Sequence, residues 1–316
     1  MNRDYQPLTT DHRPLNSNPQ SLTPNPTGRL SGVTIPSDAV VDLHMHTTAS
    51  DGRFTPTELA EAARAQNLSV IALADHDRVD NVRPLQQEAA RHSIYVIPAV
   101  EVSCRWGDVQ YHLLVYNVDL TDMGLIGPLE ENTRKYAEIC ANGMEELARQ
   151  GKRIDPAILN ICTRGQAIAP YHVFQALIKH EYAPNMKEAH ELAKTVGVDF
   201  LPQRDMREVI QVARESGAIP ILAHPARAEP GFNPPSAQIL EEMIGAGLMG
   251  FEVWHPLHSA YDVAYYLKLC TDRGLLTSSG SDTHSPNDHR RKLTMWPARY
   301  SERLLEMCGI TLADPA

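Results

Sequence analysis

The sequence predicts an α/β fold, a parallel sheet or barrel interrupted by a helical insertion. Three observations carry this reading. From about residue 38, short apolar runs alternate with amphipathic helical periods, the rhythm of repeated strand–helix units. Between about 128 and 217 only helical periods follow one another, and the alternation then resumes. The predicted strand ends carry histidines and carboxylates, and folds of this kind bring such ends together on one face.

The 316 residues allow one large domain or two ordinary ones. Residues 1–36 are rich in Pro, Asn, Ser and Thr with few apolar anchors, so they read as a disordered tail. The rest, 37–316, reads as one catalytic domain. No apolar run is long enough to span a bilayer, and the N-terminus has no signal-peptide core. The five cysteines are scattered without a Cys-x-x-Cys pair, as expected for reduced thiols in a cytoplasmic protein. A net charge of −10 argues against an extended nucleic-acid footprint. A small anionic substrate stays compatible, because bound cations would invert the local field.

In order, the first strand is expected at 40–46. Thr55-Pro56-Thr57-Glu58 is a capping box with Pro at the first helical position, opening a helix to about Gln66. Strands follow at 69–74, 94–100 and 109–116, with a helix at about 80–92 between the first two. Helical periods then run over 128–150, 156–162, 170–181, 185–196 and 205–216, punctuated by Gly151, Gly165 and Gly197. The alternation resumes with strands at 219–223, 249–254 and 275–279, helices at 236–246 and 260–273 between them, and a last helix near 300–308.

His44 and His46 lie one residue apart in the first strand, so they share a face. Alone, this pair is either a metal site or a wet strand end. It is not alone: Asp51, His76, Glu101, His112, His224, Asp282 and His284 fall at or just after the other strand ends, or within the fourth strand. Nine nitrogen and oxygen donors exceed what one ion needs. They predict two or three divalent ions; nitrogen and oxygen donors suit zinc, manganese, iron or nickel, and the carboxylates also admit magnesium. Such a cluster would let a metal-activated hydroxide attack a phosphomonoester without a covalent enzyme intermediate. Asp51, His76, Glu101, His224 and Asp282 are the expected catalytic members. Asp75 is expected to orient an imidazole.

Asp42-Leu-His-Met-His46 with Ser50-Asp51-Gly52, Ala74-Asp75-His76-Asp77, Glu101, His112, Ala223-His224-Pro225 and Ser281-Asp282-Thr283-His284 resemble the successive motifs of the PHP (polymerase and histidinol phosphatase) family. The resemblance covers about 38–290. It implies a distorted (β/α)7 TIM-like barrel and a two- or three-metal phosphoesterase site, with all nine ligand positions filled. The helical insertion resembles the branch that hydrolyses nucleoside 3′,5′-bisphosphates and acts as a 5′→3′ exonuclease on short RNA. The partner so implied is a nucleotide or a short oligonucleotide end. Histidinol phosphate or another small phosphomonoester is the alternative substrate, and a non-catalytic nucleotide sensor a second alternative.

That branch usually carries a Gly-Arg-Pro-His type motif in the insertion, where this chain has Ala169-Pro170-Tyr171-His172. The histidine is kept and the phosphate-binding arginine is missing. Asn132, Arg134, Arg204 and Arg227 are candidate replacements. Arg134 either forks onto a phosphate or pairs with Glu130 or Glu138 on a solvated helix face. Arg227, two residues beyond Pro225, is read as a substrate contact. His172 is a phosphate ligand, a leaving-group acid or a helix-cap contact. His255 and His258 are read as ordinary loop residues.

Overall fold

The computed structural model describes residues 25–200, 202, 204–228 and 233–314. Its strands are β1 (Val33–Pro36), β2 (Val40–Met45), β3 (Val70–Leu73), β4 (Tyr95–Trp106), β5 (Val109–Tyr116), β6 (Ile219–Leu222), β7 (Gly250–Trp254), β8 (Leu276–Ser279), β9 (Trp296–Pro297) and β10 (Ile310–Ala313). Eight of them form one sheet in the order β8-β7-β6-β5-β4-β3-β2-β9. The sheet curls into a nearly closed barrel. The segment after β8 meets β2: Asp282 N–H donates to His44 O at 2.9 Å, and His46 N–H donates to Thr283 O at 3.0 Å.

Most neighbours are parallel, as the alternation predicts, but β5 runs antiparallel to both β4 and β6. The cause is local. Only Gly107 and Asp108 separate β4 from β5, and a parallel pair needs a crossover of a dozen residues or more. Gly107 takes φ 61° in that turn, at no steric cost to a residue without Cβ. The hairpin also carries β4 to Trp106, beyond the Val100 end expected.

Ten α-helices lie among the described residues: α1 (Pro56–Ala65), α2 (Val82–Ala90), α3 (Met123–Arg149), α4 (Pro156–Thr163), α5 (Pro170–Lys179), α6 (Met186–Lys194), α7 (Met206–Glu215), α8 (Ala237–Gly245), α9 (Ala260–Arg273) and α10 (Glu302–Met307). The predicted capping box is present: Glu58 N–H donates to the Thr55 hydroxyl, and the Glu58 carboxylate accepts from Thr55 N–H. Small and branched side chains fill the barrel interior, among them Val41, Leu43, Val70, Ala72, Ile97, Ala99, Leu114, Ile219 and Ile221. Outside, Met45, Ile71 and Leu73 pack under α1 and α2. Val100, Val102, Leu113 and Val115 pack under α7, α8 and α9. No helix among the described residues is long and apolar enough to cross a membrane.

Two expected boundaries shift. Residues 1–24 of the expected tail lie outside the described residues, but 25–36 are built into the fold. β1 pairs in parallel with β10, burying Ile35 and Ile310, each contributing roughly 1.5–3 kcal/mol. Arg29 donates from Nε to Asn117 O at 2.8 Å and from Nη2 to Ser216 O at 2.6 Å. The strand is four residues long and its partner is at the far end of the chain, so polar composition masks it. The insertion, expected at 128–217, is also shorter. Leu125 and Leu129 of α3, and Met206, Val209, Ile210 and Ala213 of α7, belong to the barrel's outer core. Only the stretch between forms a separate core, from Cys140 and Leu147 through Val173 and Leu177 to Phe200.

Candidate metal centre and active site

The site lies where the strand ends meet. Between Asp42 and Met45, β2 slips its register against β3 by one residue, an irregularity of the kind that re-aims side chains beside active sites. The slip lets Val41 and Leu43 fill the interior while His44 and His46 turn into the site. Their Nε2 atoms stand 3.1 Å apart. Two glycines permit the crowding. A Cβ on Gly280 would lie 2.2 Å from His44 Cβ, and one on Gly52 would lie 2.5 Å from the His46 carbonyl carbon. Gly52 thereby keeps the Asp51 loop folded back onto β2. His224 and Asp282 hold φ 27° and 53°, backbone strain that the surrounding fold maintains.

Glu101 is the hub. Its Oε2 lies 3.1 Å from His44 Nε2, 3.2 Å from His46 Nε2 and 3.3 Å from His76 Nδ1. Its Oε1 lies 3.0 Å from His112 Nδ1 and 2.9 Å from His224 Nε2. Because β5 is antiparallel, its N-terminal half reaches the site, and Ser103 of β4 pairs with His112. A histidine inside the fourth strand therefore reaches the same place as residues at strand ends. Asp282 Oδ1 lies 3.2 Å from His46 Nε2, 3.4 Å from His284 Nδ1 and 3.6 Å from His44 Nε2. Asp51 Oδ2 lies 3.0 Å from His284 Nε2 and 3.9 Å from His76 Nε2. The structure thus brings all nine expected donors together.

Electrostatics and geometry both fit divalent cations. Burial opposes ionisation of Glu101, Asp51 and Asp282, yet the surrounding histidines hold all three below the usual carboxylate range. Burial pushes His76 down to about 3 and His224 down to about 4, leaving neutral imidazoles, the form that ligates metals. Burial opposes charge on His46 too, but Asp282 and Glu101 outweigh it and raise it to about 9. Glu101 Oε2, His46 Nδ1 and His76 Nδ1 are buried without hydrogen-bond geometry to any neighbour. Oε2 crowds three imidazole nitrogens without bonding to them, as expected around a cation. Three overlapping donor groups place their ligand atoms within 4.8 Å of one another: His44, His46, Glu101 and Asp282; His76, Glu101 and His112; His46, Asp51, His76 and His284.

Neighbouring groups orient these donors. Glu252 in β7 is fully buried; its Oε1 accepts from His44 Nδ1 at 3.0 Å and its Oε2 from His224 N–H at 2.7 Å. With Nδ1 committed to Glu252, Nε2 is the His44 nitrogen left to face Glu101, His46 and a bound cation. The sequence reading passed over Glu252, although a lone carboxylate within an apolar central strand is a visible signal. Asp42 staples β2 to the loops after β8, accepting from Ser281 N–H at 2.9 Å and Thr294 N–H at 3.0 Å; burial lifts it to about 6. Asp75 does not orient an imidazole. It accepts from Thr47 N–H at 2.7 Å and from the Ser50 hydroxyl at 2.6 Å, so it fixes the loop that carries Asp51.

A cavity of about 410 Å³ opens above the cluster. Asp51, His76, His112 and His284 form its barrel side, and Ile168, Pro170, Tyr171 and Phe174 face them from the insertion. Arg227 lines it, with Nη1 4.0 Å from Asp282 Oδ2. Arg134 does not. It is exposed and paired with Glu131 and Glu138 one helical turn away, because its face of α3 looks to solvent. His172 is buried and off the cavity wall; its Nδ1 accepts from Ala169 N–H at 3.0 Å, capping α5. Asn132 and Arg204 sit beside Asp77 rather than in the wall. Two residues the sequence reading set aside or missed do reach the site. His255 is buried, with Nε2 3.7 Å from Asp282 Oδ2, and Arg291 donates from Nη1 to the same oxygen at 2.8 Å. His255 directly follows β7 and is visible at a strand end, although the sequence reading takes it for an ordinary loop residue; Arg291 lies on the loop beyond β8, away from any strand end.

Comparison with known proteins agrees with this geometry. The PHP domain family matches residues 42–199. A 3′,5′-nucleoside bisphosphate phosphatase of Chromobacterium violaceum is 28% identical over 265 residues, 80% of this chain and 90% of its own. The 5′-3′ exoribonuclease Rnm of Escherichia coli is 28% identical over 259 residues, 78% of this chain and 86% of its own. A solved structure from Bifidobacterium adolescentis, described as a metal-dependent phosphoesterase, superposes with a TM-score of 0.73 at 22% identity, over 84% of this chain and 96% of that one. It shares the barrel fold. The ordered motifs, the distorted barrel and the convergent donors therefore have one explanation: this chain belongs to the PHP family and is a hydrolase of phosphoric ester bonds.

Proposed function

We propose that the chain hydrolyses phosphate esters of nucleotides, removing a phosphate from nucleoside 3′,5′-bisphosphates and cleaving short RNA from its 5′ end as an exonuclease. One observation carries the reading. The cavity has a charged floor of histidines and carboxylates, while Tyr136, Tyr171, Phe174 and Phe200 from the insertion side also line it. A phosphate suits the floor, and a flat base suits aromatic walls. The relatives named for nucleotide and RNA substrates span most of this chain and support the same class.

In this reading two or three divalent ions, manganese preferred, are held by the overlapping donor groups, with Glu101, His46 and His76 shared. When bound they supply Lewis acidity toward phosphoryl oxygens and generate the nucleophile from water near neutral pH. The chain's residues do the rest. Glu252 locks His44 in the Nδ1–H tautomer. His284 donates from Nδ1 to the Asp282 carbonyl at 2.7 Å, turning Nε2 toward Asp51. The Gly52 turn holds Asp51 over the cluster, and Arg227 faces the cavity beside Asp282. Five free, buried cysteines suit a reducing, cytoplasmic setting.

The test is a steady-state panel with manganese added: nucleoside 3′,5′-bisphosphate, nucleoside monophosphate, 5′-phosphorylated oligonucleotide and histidinol phosphate. The expected result is a higher kcat/KM for the nucleotide substrates than for histidinol phosphate. A reversed order would sink the nucleotide reading. Metal analysis of active protein purified without chelator is expected to give at least two ions per chain.

A further inference from the structure

The loop after β8 carries a cation that the barrel motifs do not explain. Asp288 Oδ1 accepts from the N–H groups of Arg290 at 2.9 Å and Arg291 at 3.1 Å, and its Oδ2 accepts from Arg291 Nε at 3.2 Å. At the other end of the guanidinium, Nη1 donates to Asp282 Oδ2 at 2.8 Å. The fork is therefore held at two of its three nitrogens before any ligand arrives. Arg291 lines the cavity, and no protein acceptor is hydrogen-bonded to Nη2 among the described residues.

Asp282 is two-faced. Its Oδ1 looks to His44, His46 and His284; its Oδ2 looks to Arg291, with Arg227 at 4.0 Å. A cation held by the donor cluster would share this carboxylate with a guanidinium. Two positive centres side by side at the cavity floor call for an anion that touches both. A phosphoryl group has the charge, and its oxygens match an arginine fork. Among the described residues, no arginine or lysine of the insertion lines the cavity; Ile168, Ala169, Pro170 and Tyr171 face the floor, with His190, which burial holds toward its neutral form, further along. Arg78, also on the lining, pairs with Asp80 through hydrogen bonds of 2.8 and 3.1 Å, a carboxylate outside the donor cluster, whereas Arg291 is held against Asp282 within it.

We infer that Arg291 binds the phosphoryl oxygens of the substrate, supplying from the barrel side the cation that the insertion lacks. This rests on phosphoester hydrolysis at the site and not on which ester is cleaved. A preset fork gives up little side-chain freedom on binding, so its contribution to phosphate affinity is retained.

The experiment uses the full manganese-loaded chain, inorganic phosphate as the probe and p-nitrophenyl phosphate as a generic ester. Phosphate binding is measured by calorimetry and as competitive inhibition, with metal content determined on the same samples. R291Q is expected to weaken phosphate about tenfold or more, the scale of a lost charge-assisted hydrogen bond, with metal content at the wild-type level. R291K keeps a charge beside Asp282 but loses the fork, and is expected to fall between. Phosphate affinity equal to wild type in R291Q, or metal lost together with phosphate, would show that Arg291 merely braces Asp282 and would overturn the inference. Should R291Q not fold, R291K decides: wild-type affinity there overturns it equally. Wild-type hydrolysis of p-nitrophenyl phosphate with none of any nucleotide would sink the nucleotide reading and leave the phosphate measurement intact.

Discussion

Two walls face each other across the cavity, and they are built on different principles. The barrel wall is polar, crowded and over-determined. Glu101 alone lies within 3.3 Å of five histidines, and glycines stand where backbones nearly touch. The insertion wall is apolar and aromatic, carried on helices with their own small core. Chemistry therefore resides on rigid strands that cannot shift without losing several contacts at once. On the proposed reading, contact with the base falls to a unit whose residues can change without disturbing the donors. The same division accounts for the insertion stretch Ala169-Pro170-Tyr171-His172 departing from the pattern while all nine donors are kept.

Substitutions on each wall sharpen that contrast, and Glu101→Gln should have the largest effect. It keeps the shape but removes the charge shared by five imidazoles, so kcat should fall at least about a hundredfold, with bound metal reduced in the same preparation. Retained metal and near-normal kcat would mean that Glu101 is not the hub. Glu252→Gln comes next. The orienting partners of metal ligands are worth about 10–100-fold in metal affinity or activity, so a metal titration should shift by that order. On the opposite wall, Tyr171→Ala should act on KM. About tenfold is expected for a nucleotide, the scale of one lost base–aromatic contact, and less for p-nitrophenyl phosphate. Equal effects on both esters would break the division between walls. Arg134→Ala should be the mildest: kcat/KM within about twofold, and no measurable change in melting temperature, because exposed helix pairs contribute little. A large loss there would place Arg134 in the site after all.

How far the sequence could be read depended on the range of the interaction involved. His44 and His46 were legible because strand alternation is local, and the Thr55–Glu58 box because capping spans one helical turn. The donors were legible as a set because successive strand ends share one face. Glu252 and Arg291 were harder. Each acts through a partner more than 200 residues away or on a loop of its own, as Glu252 does on His44 and Arg291 on Asp282. The β1 strand was hidden in the same way, since its pairing with β10 joins the two ends of the chain. The antiparallel β5 could have been anticipated from the two-residue gap at Gly107-Asp108, a local signal that the strand–helix rhythm obscured.

The sequence by itself determined the succession of strands and helices, the donor types and the family. Each of these depends on residue identity and short spacing, and those survive without a folded chain. Tertiary structure alone decided which candidates meet. It put Arg134 in solvent and His172 under a helix cap, and it brought Arg227, His255 and Arg291 around one carboxylate. Side-chain direction depends on which helix face is buried and on how loops close over the barrel. Those are set by packing between residues far apart in the chain, which no local pattern encodes.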